Sequence, residues 1–128
     1  MTKRKREKNR KSKIYGKELI LDLFECEPKI IRSKKKILEY INKTCYLIKV
    51  KKYSKAVIKR FGETSNWGKG YSFFQFITES SISGHFLEPQ NIAYLNIFSC
   101  KLFDEKIVAD FSQKFFKAKK IKRQIIFH

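Results

Sequence analysis

The sequence predicts an α+β protein, a two-layer sandwich in which two helices cover one face of a largely antiparallel sheet. Several short segments alternate apolar and polar residues, as strands do, and two longer segments repeat apolar residues at helical spacing. The chain has 128 residues, of which 42% are hydrophobic, which suffices for one compact core and not for two. Residues 14–128 are therefore expected to form a single domain.

The first strand and the first helix follow each other closely. Glu18–Cys26 alternates leucines with other side chains and predicts a strand, which Pro28 ends because proline cannot donate to a sheet ladder. Ser33 stands where a helix N-cap is expected. The residues expected on the buried face of this helix are Ile37, Tyr40 and Ile41.

The middle of the chain predicts two further strands around a loop. Tyr46–Tyr53 alternates again and predicts a second strand, which residues 56–61 would continue after an irregularity near Ser54. The segment Gly62–Gly70 holds three of the five glycines and is expected to be the main loop. Tyr71–Glu79 is strongly aromatic and predicts the next strand.

The last part of the chain completes the order β-α-β-β-(β)-β-α-β. Residues 81–86 are expected to form a short adjoining strand, and Ile92–Cys100 and Ile121–Phe127 two more, with a turn at 88–91. Asp104 is expected to cap the second helix. The residues predicted for its buried face are Ile107, Val108, Phe111 and Phe115.

The chain is strongly basic, with a net charge of +18. Residues 1–13 carry eight basic residues and one acid, so this tail is expected to be disordered. It could neutralise phosphates of a nucleic acid, but a solubilising tail in a lysine-rich protein is the favoured interpretation. No apolar run reaches the length of a membrane span, and the first residues do not resemble a secretory signal.

The cysteines Cys26, Cys45 and Cys100 are too widely spaced for a disulfide framework or a paired zinc motif, and His85 and His128 add no metal-binding motif. These spacings predict a reduced, cytoplasmic protein without a metal. Taken singly, each cysteine favours core packing, and His85 and Ser72 favour ordinary turn and strand positions.

Four residues in register nevertheless indicate chemistry. Ser72, Ser80, His85 and Cys100 stand eight, five and fifteen residues apart, in the segments "GYSFFQFITESSISGH" and "LNIFSC". With "GKELILDLFEC" and "KRF", these segments resemble the small prokaryotic form of S-adenosylmethionine decarboxylase, a pyruvoyl-dependent enzyme made as a proenzyme. The resemblance covers Gly16 to Phe127.

The resemblance implies that the chain cuts itself between Glu79 and Ser80. Ser80 would attack the Glu79 carbonyl and become a pyruvoyl group, which binds the substrate amine as a Schiff base, with neither a metal nor pyridoxal phosphate. Ser72 would contact the oxyanion, and His85 would remove the Ser80 α-proton during processing. Cys100 would donate the proton that replaces the departing carbon dioxide.

The substrate would be a small cationic amine. The sequence departs from the family around the predicted nucleoside contacts, since Ser81 replaces a histidine and Phe86-Leu87-Glu88-Pro89 replaces Thr-Trp-Pro-Glu. Phe86 and Trp67 could stack on an adenine, and core or loop packing is the alternative for each. The predicted acidic contacts are Glu88 and Glu18. Glu18 stands where the first strand of the family usually has a histidine.

Three functions remain open from the sequence. The first is decarboxylation of S-adenosylmethionine for polyamine synthesis, by a homodimer of processed units. The second is decarboxylation of arginine or ornithine by the same machinery. The third is a non-catalytic relative that binds nucleic acid through residues 1–13, which is not favoured.

Overall fold

The computed structural model describes residues 15–62 and 68–128. The basic tail 1–13 and Trp67 lie outside these described residues. Within them, six strands form one sheet in the order β2-β3-β4-β5-β1-β6, and each pair of neighbours is antiparallel. The strands are β1 Lys17–Phe24, β2 Val57–Phe61, β3 Gly70–Ile77, β4 Ser80–Leu87, β5 Ile92–Ser99 and β6 Lys120–Phe127. The helices are α1 Pro28–Ile31, α2 Lys34–Leu47 and α3 Glu105–Phe116.

The predicted fold class is confirmed, and so are the caps of both long helices. The Ser33 hydroxyl accepts a hydrogen bond from the Lys36 amide at 3.1 Å at the start of α2. A carboxylate oxygen of Asp104 accepts hydrogen bonds from the Lys106 and Ile107 amides at 2.9 and 3.2 Å at the start of α3. Each side chain satisfies backbone donors that lack a partner within the helix.

The core lies between the sheet and the two long helices. Leu19, Leu21 and Leu23 of β1 are fully buried there because they alternate onto the same side of the strand. Tyr40 of α2 is also buried, and its hydroxyl shares a 2.6 Å hydrogen bond with Ser112 of α3. This contact joins the two helices inside the core.

Tyr46–Tyr53 is not a strand, and this prediction was wrong. Helix α2 continues to Leu47, and the chain then turns at Lys49, whose φ is +60°. Thr44 and Cys45 extend the buried helical stripe, so burial against the core decides for the helix. The segment that follows contributes only an isolated bridge, between Lys52 and Ile77, and β2 is a separate edge strand.

Two smaller expectations also differ from the structure. Pro28 begins the one-turn helix α1 rather than only ending β1, since proline suits the first position of a helix. In α3, Ile107 is 50% exposed, and Phe116 is fully buried. The helix therefore presents a face rotated toward Val108, Ser112 and Phe116, while Phe111 and Phe115 pack partly against the core.

The opposite face of the sheet, here called the uncovered face, has no helix on it among the described residues. It carries large apolar side chains that alternate with the buried ones, and Phe76 is 52% exposed. Other exposed members are Val57, Phe61, Phe74 and Tyr94. No helix of the described chain is both long and apolar enough to cross a bilayer.

Candidate active site

Ser80 begins β4 directly after a very short turn. Ile77 of β3 pairs with Ser80, so only Thr78 and Glu79 connect the two strands. Two-residue hairpins normally place positive φ angles within the turn. Here neither turn residue has a positive φ, and Ser80 itself has a φ of +151°. Residues with a side chain rarely adopt this angle, so the backbone is strained at the residue that the sequence predicted to be cut.

The Glu79 carbonyl points to the end of β5. Its oxygen accepts a hydrogen bond from the Cys100 amide at 2.9 Å. Ser80 pairs with Ser99, the last residue of β5, which is why Cys100 lies beside the turn. The Cys100 thiol is free and exposed. The structure thus brings Glu79, Ser80 and Cys100 together at one end of the sheet.

Ser72 and His85 form a second pair on the uncovered face. They are directly opposite each other on β3 and β4, and the Ser72 hydroxyl lies 2.8 Å from His85 Nδ1. An open pocket of about 410 Å³ surrounds them, and Lys59 and Phe61 of β2 also line it. The pair is thus accessible to a small molecule or to a second protein surface.

The structure does not bring this pair to Ser80 within one chain. The Ser72–His85 pair and the Ile77–Ser80 pair are five residues apart along the hairpin. At the usual rise of a strand this separation is about 16 Å. A single chain therefore does not place Ser72 and His85 in contact with Ser80, because the segment from Ser80 to His85 is fully extended, and the processing roles of this pair stay predictions.

Glu88 lies in an ion-pair cluster rather than in an open pocket. It is 3% exposed, and Arg60 binds both of its carboxylate oxygens, at 3.0 and 2.6 Å. Arg32 donates to the Glu88 carbonyl at 2.8 Å and lies 3.7 Å from the carboxylate. The Arg60 hydrogen bond, more than the nearby positive charges, holds the pKa of Glu88 below its usual value. As a substrate contact Glu88 stays a prediction, and it would have to share this carboxylate with Arg60.

The other predicted substrate contacts occupy different surroundings. Phe86 is 1% exposed and packs against Phe73 and Phe116, so core packing, the alternative given for it, is what the structure shows. Glu18 is partly exposed on the uncovered face, where Asn96 donates to it at 2.6 Å. His128 also contacts Glu18, at 3.0 Å.

The two remaining cysteines are buried, as expected. Burial raises the pKa of the Cys26 thiol to about 11 and also raises the pKa of Cys45. Both thiols are therefore neutral near pH 7 and unreactive. This contrast leaves Cys100 as the exposed thiol of the three.

Sequence reasoning missed three contributors to the site. The Cys100 amide was missed because a backbone donor leaves no sequence signal. Asn96 and Arg60 were not singled out, since their roles depend on strand register and on a partner far along the chain. Within the described residues, no group of three or more His, Cys, Asp or Glu residues is arranged to hold a metal ion.

These features define a small α+β protein with a strained serine and an exposed cysteine at one end of its sheet. The family model of S-adenosylmethionine decarboxylase matches residues 17–127, and the chain belongs to this family of decarboxylases. No curated protein gives a significant match. Among solved structures, the adenosylmethionine decarboxylase from Aquifex aeolicus VF5 has a TM-score of 0.76 at 19% sequence identity. The match covers 90% of this chain and 91% of that chain, and it shows the fold.

Proposed function

We propose that the protein is a cytoplasmic, self-processing decarboxylase that acts on S-adenosylmethionine and uses a pyruvoyl group made from Ser80. Its product would supply aminopropyl groups for polyamine synthesis. The observation that carries the proposal is the strained backbone at Ser80, together with the hydrogen bond from the Cys100 amide to the Glu79 carbonyl.

The strain and the hydrogen bond both favour attack of Ser80 on its own peptide. Conversion of the Glu79–Ser80 amide to an ester releases the constrained backbone nitrogen. The oxygen of the Glu79 carbonyl gains negative charge in the tetrahedral intermediate, and the Cys100 amide is already 2.9 Å from it. These residues therefore fit the formation of a pyruvoyl group at this position.

The complete conversion balances without an external oxidant or reductant. The Ser80 hydroxyl forms a bond to the Glu79 carbonyl carbon, and the bond from that carbon to the Ser80 nitrogen breaks. A base removes the Ser80 α-proton, and the main-chain carboxylate of Glu79, the new C-terminus, leaves from the Ser80 β-carbon. Water then replaces the nitrogen, which departs as ammonia. A pyruvoyl group accepts electrons when a bound amino acid loses carbon dioxide, and the exposed Cys100 thiol would return a proton to the product.

A homodimer would complete the site. Ser72 and His85 are about 16 Å from Ser80 along the hairpin, yet processing needs a base at the Ser80 α-carbon. The uncovered face that carries them also bears exposed aromatic side chains, which favours burial against another surface. Two copies related by a twofold axis would each offer a Ser72–His85 pair to the other's Ser80. Each dimer would then contain two equivalent sites.

Mass spectrometry under denaturing conditions tests the proposal. The purified protein should give fragments 1–79 and 80–128, and the second should be lighter than its serine-ended form by one ammonia. Borohydride should reduce the new carbonyl, and labelled S-adenosylmethionine should release carbon dioxide. An intact chain without a reducible carbonyl would disprove processing and leave a non-catalytic relative.

Pairing two inactive chains tests the shared site. A His85→Ala chain should remain uncut by itself, and it should be cut when it is co-expressed with a Ser80→Ala chain that offers an intact His85. The Ser80→Ala chain should never be cut. If the His85→Ala chain stays intact in the mixed dimer, the base does not come from a partner.

Release of carbon dioxide from arginine or ornithine instead of S-adenosylmethionine would select the second substrate class.

A further inference from the structure

A carboxylate, an amide and an imidazole meet on the uncovered face near the end of the sheet that holds Ser80. Asn96 Nδ2 donates to one oxygen of Glu18 at 2.6 Å, and His128 Nε2 lies 3.0 Å from the other oxygen. Each carboxylate oxygen can accept more than one hydrogen bond. Glu18 is therefore held in one orientation and keeps acceptor capacity for a ligand.

His128 is firmly placed by its backbone as well as by its ring. Its amide donates to the Gly16 carbonyl at 2.9 Å, and its own carbonyl accepts from the Tyr15 amide at 2.6 Å. The imidazole also packs against Phe98, with ring centroids 5.1 Å apart. These contacts hold the imidazole beside Glu18, as expected of a group that preorganises a binding residue.

The Glu18 carboxylate lies close to the residues proposed to react. A Cβ added to Gly16, the residue before β1, would lie 3.6 Å from the Cys100 Cα, so the chain entering β1 lies against the cysteine. Glu18 is two positions further along β1, about 7 Å from Gly16. Ser80 of β4 pairs with Ser99 of β5, and Ser99 pairs with Lys17, next to Glu18, on β1. Strands β4 and β1 lie on the two sides of β5 and are therefore about 10 Å apart. The Glu18 side chain and the side chain of a bound amino acid can together span such a distance.

The charge of Glu18 is unusual for its surroundings. The chain carries a net charge of +18, and the acids on the strand positions of the uncovered face are Glu18 and Asp22, both on β1. The hydrogen bond from Asn96, followed by that from His128, lowers the pKa of Glu18. Glu18 is therefore ionised near pH 7. It offers a local negative charge that attracts a cationic ligand, whereas the net positive charge of the protein repels such a ligand.

We propose that Glu18, oriented by Asn96 and His128, binds the cationic centre of the substrate while the substrate's α-carbon lies beside Cys100. The inference rests on the proposed function. The ligand class is an α-amino acid with a second positive charge on its side chain, either a sulfonium, a guanidinium or an ammonium. Glu18 would thus determine specificity, and His128 would be a positioning residue.

Binding can be measured without turnover in a Ser80→Ala background, so that the outcome does not depend on cleavage. Calorimetry would compare S-adenosylmethionine with neutral S-adenosylhomocysteine, arginine with citrulline, and ornithine with norvaline. We expect the cation of one pair to bind about tenfold more tightly than its neutral partner, as a partly exposed charge-assisted contact allows. Glu18→Gln should abolish this preference, and no preference in any pair would overturn the inference.

Two further variants separate this role from general effects of charge or folding. Glu39→Gln removes the same charge on the outer side of α2, where Glu39 pairs with Lys36 and Lys43, and it should keep the full preference. His128→Phe keeps a ring against Phe98 and removes the hydrogen bond, and it should reduce the preference about threefold. A preference that survives in Glu18→Gln, or that Glu39→Gln removes equally, would refute the assignment.

In the cleaved enzyme, the same variants give a second and independent readout. Glu18→Gln should raise the KM about tenfold with little change in kcat, because the contact is made equally in the ground and transition states. Cleavage before Ser80 should proceed normally in this variant. A Glu18→Gln enzyme with an unchanged KM would contradict the inference and leave the proposed function intact.

Discussion

The strained angle at Ser80 predicts that glycine stabilises the fold at this position. Ser80 has a φ of +151°, which glycine adopts without steric cost. Both Ser80→Ala and Ser80→Gly lack the hydroxyl and remain uncut, so their stabilities can be compared directly. We expect the glycine variant to be the more stable of the two, which is the reverse of the usual effect of glycine in a strand.

The size of the difference follows from two opposing effects. A residue held in a sparsely populated backbone region costs about 1–3 kcal/mol, which glycine relieves and alanine does not. Glycine loses more backbone entropy on folding, which costs roughly 0.5–1 kcal/mol. The net free energy of unfolding should therefore be higher in Ser80→Gly by about 1 kcal/mol. For a domain of this size the midpoint temperature should rise by about 4 °C.

Urea and thermal unfolding at equal protein concentration would measure this difference. The neighbouring Ser81 serves as the control, because it is also in β4 and its φ is not positive. Ser81→Gly should be less stable than Ser81→Ala by roughly 0.5–1 kcal/mol. If Ser80→Gly is equal to or less stable than Ser80→Ala, strain does not drive the proposed cleavage.

Three further predictions concern the site and the core. A Cys100→Ala chain should still be cut but should lose roughly a hundredfold in correct product formation, measured as decarboxylated substrate, because it lacks the proposed proton donor; unchanged turnover would exclude that role. Glu88→Gln should lower the free energy of unfolding by about 2 kcal/mol at pH 7, because charge-assisted bonds to Arg60 are lost. The pKa of Glu88 is lower in the folded than in the unfolded protein. The stability difference between wild type and Glu88→Gln should therefore be complete above the unfolded-state pKa of about 4.3 and should disappear as pH falls through the folded-state pKa. A stability difference that persists in acid would point to packing instead. Gly84→Ala should cost about 2 kcal/mol in urea unfolding, because the new methyl group would overlap the Phe73 ring, and wild-type stability would mean that the ring moves freely.

The sequence predicted those parts of the fold that local patterns determine. Ser33 and Asp104 cap their helices as expected, because capping depends on one side chain and the next few amides. The segment from Tyr46 failed because its alternation is compatible with a helix end, and burial of Thr44 and Cys45 against the core decided between the two. Such tertiary effects are not visible in a short window of sequence.

The candidate site shows the same limit. The spacing of Ser80 and Cys100 was a useful guide, since both stand at strand ends that the sheet brings together. Ser72 and His85 were selected by the same kind of spacing, but they do not contact Ser80 within one chain, because an extended strand separates residues that are near in sequence. The Glu18–His128 contact joins residues 110 positions apart and had no signal in either segment.

The position of β1 between β5 and β6 has a consequence for a chain that is cut after Glu79. β1, β2 and β3 would belong to the first piece, and β4, β5 and β6 to the second, so the two polypeptides alternate across the sheet. Neither piece could depart without breaking rows of hydrogen bonds on both sides of β1. The cleaved protein would therefore stay associated in solution. If the two fragments were expressed separately, they would have to associate before either could bury its apolar side chains.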